Sequence, residues 1–289
     1  MKFAKLLLIT LLAIHFAVTL FADSATRPKT DVEKKFFDEV IAACQAAVAG
    51  INTSWDEENR SGEENDDRIT EDSEKYPLVH YFNVSWADSK RIEEARARID
   101  KELETLAPKL QEQTKSFDTK AFEELAARIG KAAEAGDFAT VEKLQKEAEV
   151  MAKQLETGGR QMDQEINSLT EKHTPHDVSL KVRIAVNNFY QNFSSDPSIV
   201  KLSDGTACYR VEESRFTNGC WIEGTTFLFL GSGWQIEQDG DYKAMKHPEY
   251  PEKPSASVRA VILSVEAEEK RALSALNSMN LSALKALIK

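Results

Sequence analysis

The chain has 289 residues, of which 37 are basic and 48 acidic, giving a formal net charge of −11. That sign opposes nonspecific binding to nucleic acid or to anionic lipid. Three cysteines are too few to replace a hydrophobic core with a disulfide framework, so the fold must rest on buried apolar side chains.

Lys2 and Lys5 open the chain, Leu6 to Leu20 are apolar apart from His15 and two threonines, and Ala22 precedes a polar run. That order predicts a secretory signal peptide over residues 1–22, cleaved after Ala22, although Leu20 stands where a small residue is preferred. The apolar run is shorter than the roughly 20 residues of a comfortable membrane span, so a membrane anchor is expected only if the signal stays uncleaved. The mature chain is therefore expected in the periplasm or outside the cell. Asn52, Asn59, Asn83, Asn192 and Asn280 each begin an Asn-x-Ser/Thr triplet, which export turns into candidate glycosylation sites.

From Asp31, an expected N-cap, Val32, Phe36, Phe37, Val40, Ile41 and Cys44 recur at helical spacing. Cys44 reads as a small core residue. The segment that follows is acidic, and Ile69 is its one large apolar side chain between residues 56 and 74. Such a stretch predicts a disordered loop at 56–75. An aromatic patch, Tyr81, Phe82 and Trp86, leads into a charged helix from about Asp88 to Gln113, bent at Pro108. A second helix runs from about Thr119 to Ala135. After Gly136, Asp137 is placed to cap a third. Leu125 and Ile129 on one, and Val141, Leu144, Ala148, Met151 and Leu155 on the other, predict an antiparallel, coiled-coil-like helical hairpin. Gly158-Gly159 is expected to interrupt the third helix, with Met162, Ile166 and Leu169 continuing the stripe.

The period then changes. Val178, Leu180, Val182, Ile184 and Val186 alternate with Ser179, Lys181, Arg183 and Ala185, which marks a strand. Further strand-like runs at 199–202, 206–212, 220–230, 234–238, 242–245 and 258–265 are separated by Asp204-Gly205, Asn218-Gly219 and Asp239-Gly240. Those dipeptides favour tight hairpin turns. Residues 266–289 return to helical spacing, with Asn280 as a break. The expected fold is α+β: an N-terminal helical hairpin or bundle over 23–174, then a mainly antiparallel sheet domain with a C-terminal helix over 175–289.

Candidate chemistry is sparse. Cys208 and Cys220 lie in adjacent strand-like runs and are expected to pair as a cross-strand disulfide. His173, His176 and Asp177 carry zinc-type ligand atoms, but Pro175 forbids the helix that would align the histidines, so a solvated linker is the stronger reading. His247 with Glu249 offers an acid/base pair in a proline-rich loop without a nucleophile motif. Gly231-Ser-Gly233 lacks the lysine of a phosphate loop and reads as a bend. Trp221, Phe227, Phe229 and Trp234 supply aromatic surface, with Trp221 and Trp234 the expected ligand-binding pair, although a shared core face competes with that reading. No motif calls for a cofactor. The expected function is an exported, non-enzymatic interaction or structural protein that binds another envelope or secreted protein. The alternatives are a small-molecule or saccharide-binding module, and a hydrolase with dispersed catalytic residues.

Overall fold

The computed structural model describes residues 26–71, 76–115, 119–217, 219–248 and 256–288. The leader expected at 1–22 lies outside these residues, and no helix among them is long and apolar enough to cross a membrane. The chain is mixed helix and antiparallel sheet, but the two do not follow one another as expected. One compact unit takes the chain through Ala87, then Ser179–Glu213 and Glu223–Lys289; the other is Asp88–Val178 with Ser214–Ile222.

In the first unit, the chain opens with β1 (Thr26–Pro28), α1 (Asp31–Val48), β2 (Asp56–Ser61), β3 (Arg68–Thr70) and β4 (His80–Ala87). The aromatic patch is therefore a strand. After the second unit come β5 (Ser179–Val186), β6 (Tyr190–Asn192), β7 (Ser198–Lys201) and β8 (Ala207–Val211). β4 and β5 pair antiparallel from His80 opposite Val186 to Ala87 opposite Ser179. Ala87 and Ser179 thus occupy the place of a hairpin turn, and the whole of residues 88–178 is inserted there.

The stretch expected as one strand at 220–230 is two. β9 (Arg215–Thr217) and β10 (Cys220–Ile222) form their own hairpin, and β11 (Thr225–Leu230) begins afterwards. The break falls at Gly224, where a Cβ would stand 2.5 Å from Arg210 Nη2 and 2.8 Å from the Val211 carbonyl oxygen. Only glycine fits that approach. β12 (Gln235–Asp239), β13 (Tyr242–Lys246), β14 (Val261–Glu266), α5 (Glu269–Ser278) and α6 (Leu281–Lys285) follow, the chain turning at Asn280 as its sequence suggests. The main sheet has the order β2-β4-β5-β14-β11-β8-β7, and a smaller sheet the order β12-β13-β6.

One face of the main sheet carries Phe82, Val84, Trp86, Leu180, Val182, Ile184, Leu228, Leu263 and Val265, packed under Phe36, Val40, Cys44 and Ala47 of α1 and Ala275, Leu276 and Leu284 of the last helices. Burial on this face is the main source of stability, at roughly 25 cal/mol per Å² of apolar surface removed from water. The opposite face is divided. Ala185, Phe193, Phe227, Met245 and Ile262 make a second cluster with the smaller sheet, while the rest stays open.

The acidic segment expected to be disordered contributes β2, an edge strand paired with β4, and β3, which pairs with β1. It needs no apolar surface of its own, because its backbone hydrogen-bonds to strands that are already anchored. Its charges suit an edge strand, which must resist pairing with other chains.

In the second unit, α2 (Ser89–Lys115), α3 (Thr119–Glu134) and α4 (Phe138–His173) are helices, and α2 and α3 each pack against α4. Pro108 lies inside α2. Asp137 caps α4 as expected, accepting from the Thr140 amide at 3.1 Å. α4 passes through Gly158-Gly159 unbroken; each glycine costs about 1 kcal/mol against alanine in a helix, which the stripe ending in buried Leu169 outweighs. The neck is closed by the Asp88 amide on the Val178 carbonyl at 2.9 Å, and by Arg91 donating to the His176 and Asp177 carbonyls at 3.0 and 2.9 Å.

α1 starts one residue earlier than its sequence suggests, with Thr30 as N-cap. The Thr30 amide donates to Glu33 Oε2 at 2.7 Å and the Glu33 amide to Thr30 Oγ1 at 3.3 Å, a reciprocal capping box. Arg27 grips the same carboxylate through both terminal nitrogens at 2.8 and 2.6 Å, and these bonds hold the Glu33 carboxyl at about 2 instead of 4.5. A depressed folded value means stability that is present above pH 4.5 and lost as pH falls toward 2. Glu33→Gln should therefore lose about 2 kcal/mol at neutral pH, judged by urea midpoints. The gap from the parent protein should narrow between pH 4.5 and 2.

Candidate ligand-binding groove

The open half of the outer sheet face is a groove of about 540 Å³. Strand alternation puts it there: Asn83 and Ser85 of β4, Lys181 and Arg183 of β5, and Ser264 and Glu266 of β14 all project away from the core that their even or odd neighbours fill. The β2–β4 register shifts between Glu57 and Asn59, and this bulge sets Asn59 opposite Ser85 on the groove side. Lys181 is held by Glu266 at 2.6 Å. Arg183 has no carboxylate partner among the described residues; its guanidinium lies 4.6 Å from the Tyr81 ring centroid.

The chain between β5 and β6 forms the rim. Asn187 is 1% exposed and takes a left-handed φ of 56°. Its side-chain amide donates to the carbonyls of Leu78 and Ser257 at 2.9 and 3.0 Å, and its Oδ1 accepts from the Arg259 amide at 2.8 Å. One buried side chain thus ties together three distant segments. The next residue, Asn188, lines both the groove and an adjoining hollow of about 330 Å³ bounded by Tyr81, Tyr190 and Lys246. Tyr190 is braced, its hydroxyl donating to Asp239 at 3.0 Å and Lys246 standing 5.7 Å from its ring centroid.

The residues singled out by sequence fall elsewhere. Trp221 belongs to the helical unit, where it stacks on His176 at 3.9 Å and donates to the Thr174 carbonyl at 3.1 Å. Trp234 belongs to the sheet unit, packed on Phe229 and His247 with its indole donating to the Leu230 carbonyl at 3.1 Å. Trp221 does not share a strand face with Phe227 and Phe229 as its numbering suggests, because the break at Gly224 puts it in a separate strand. His173 Nε2 lies 2.7 Å from Glu102 Oε1, off the line a hydrogen bond needs, and no group of three metal-ligating side chains forms among the described residues. His247 is buried between Phe189 and Trp234; Glu249 lies outside the described residues. Gly231 and Gly233 have φ of 108° and 93° and form the expected bend.

Comparison with protein-family profiles, with curated proteins and with solved structures finds no match. The groove escaped the sequence reading because its residues are the polar members of alternating strands. Singly, such residues look like a solvated face. Only the pairing of β4 with β5 across the insertion collects them.

The expected disulfide is absent: Cys44, Cys208 and Cys220 are all free. Cys208 faces the core opposite Val200 of β7, whereas Cys220 is exposed in the separate β9–β10 hairpin opposite Thr217. Burial pushes the Cys44 thiol up to about 12 and the Cys208 thiol up to about 11. A thiol reagent at pH 8 should thus modify Cys220 alone in the native protein and all three cysteines in denaturant. Only one reactive thiol in denaturant would mean that the bridge forms after all.

Proposed function

We propose that this protein is an exported, non-enzymatic binding protein whose sheet unit receives a polar small molecule or saccharide in the open groove. The observation that carries this reading is the rim: a buried, fully hydrogen-bonded Asn187 at a left-handed backbone position presents Asn188 and Tyr190 beside the groove. A rigid rim lowers the ordering cost of binding. Amides, hydroxyls and two cations offer hydrogen bonds to a polar ligand. Export rests on the leader read in residues 1–22.

A second reading concerns the helical unit, taken as an antiparallel hairpin arm that docks on another envelope or secreted protein. It is favoured by the insertion of 88–178 in place of a short turn.

Ser264, half-buried at the groove centre, gives the test. Titration calorimetry of the whole chain against a panel of soluble sugars and small polar acids should find a ligand with a Kd of roughly micromolar to millimolar. Ser264→Trp should abolish that binding while leaving the thermal midpoint close to the parent's. A ligand whose affinity ignores Ser264→Trp, or a panel with no ligand, contradicts the groove reading.

A further inference from the structure

We infer that the groove takes an oligosaccharide bearing an oxyanion, a uronic-acid carboxylate or a sulfate, with Arg183 as its anion contact and Tyr81 and Tyr190 as its stacking surfaces; this rests on the groove being the binding site.

Charge is the first argument. Acidic residues outnumber basic ones by 48 to 37, and several surface arginines, though not all, have found one: Arg60 pairs with Glu57, Arg98 with Glu94 and Arg160 with Glu156. Arg183 has not. Its cross-strand neighbours are Asn83 and Ser264, and the next residue on its face of β5 is Lys181. The one acid lining the groove among the described residues, Glu266, is engaged by that lysine. An exposed guanidinium kept clear of carboxylates in an acidic protein, beside a second cation, leaves its planar fork of donors open to an incoming carboxylate or sulfate.

The aromatic placement is the second. Tyr81 is 43% and Tyr190 41% exposed, and Tyr81 stays open although His80 and Phe82 on either side of it are buried. They border the hollow next to Arg183, and Arg183 itself lies over the Tyr81 ring. A pyranose has an apolar face of C–H groups and an equatorial rim of hydroxyls. Tyrosine rings receive the first, and Asn83, Asn188, Gln191 and Ser85 offer donors and acceptors to the second. From Tyr81 to Ser85 the floor runs roughly 13 Å along the strand, which suits a short oligosaccharide better than a single ring.

Four probes in two pairs separate the outcomes: a tetramer of galacturonic acid with its methyl ester, and a sulfated neutral tetrasaccharide with its unsulfated parent. Calorimetry on the whole chain should show the acid or the sulfate binding at least about tenfold more tightly than its uncharged counterpart, with affinity falling as salt rises. Which anionic probe wins assigns the anion. Arg183→Ala should cost about tenfold or more with the charged probe and little with any uncharged one, Arg183→Lys should retain part of the affinity, and Tyr81→Ala should weaken all of them. All of these side chains are solvent-facing, so circular dichroism should be unchanged. Equal affinity for charged and uncharged tetramers, or indifference to Arg183→Ala, overturns the inference. If none of the tetramers binds while another polar ligand does so in a manner sensitive to Ser264→Trp, this inference fails and the groove reading stands; if nothing binds, both fail.

Discussion

The pairing of β4 with β5 is the constraint on which the rest of the molecule depends. Eight residue pairs run from His80 and Val186 to Ala87 and Ser179, joining strands separated by the entire helical insertion. Its register decides both faces of the sheet. Phe82, Val84, Leu180, Val182 and Ile184 enter the core beneath α1, while Tyr81, Asn83, Ser85, Lys181 and Arg183 are left outside. A slip of one residue would exchange the two sets, burying the cations and exposing the core, so the core enforces the groove. Closing such a long insertion costs less than its length suggests, because loop-closure entropy grows only logarithmically. The insertion also gathers its own ends at the Asp88 to Val178 contact.

Legibility in the sequence followed locality. The alternation over Leu180 to Val186, the glycine turns at Gly205 and Gly240, the Asp137 cap and the break at Asn280 are local events in which one or two side chains decide the backbone, and each appears in the structure. The misreadings share the opposite property. β2 looks disordered because Asp56 to Ser61 bury little themselves; they are a strand only because β4 offers a backbone to pair with. The division into a helical half and a sheet half failed because an N-terminal strand pair completes a sheet whose remaining strands come after residue 178. The disulfide expectation assumed that Cys208 and Cys220 lie on neighbouring strands, whereas Cys208 belongs to the main sheet and Cys220 to the separate β9–β10 hairpin. The groove combines both difficulties, being made of unremarkable polar residues brought together by non-local pairing.

The two faces also divide the charges of an acidic chain unevenly. Carboxylates concentrate on the edge strand and on the helical unit, where solvent and nearby arginines or lysines accommodate them. The middle of the open sheet face holds amides, hydroxyls and two cations, with Glu266, the one acid there among the described residues, committed to Lys181. Asn187, below the rim, combines a left-handed backbone with three side-chain hydrogen bonds, which fixes the position of Asn188 and Tyr190.

Native-state amide hydrogen exchange on the whole chain tests the central place of the β4–β5 ladder most directly. Central strand amides such as those of Phe82, Val84, Val182 and Ile184 should exchange only through global unfolding, whereas the helices of residues 88–178, with few buried apolar side chains, should open at lower free energy and leave the sheet intact. If the helical amides instead prove as slow as or slower than those of β4 and β5, or if the ladder opens while the helices persist, the sheet is not the element on which the fold depends.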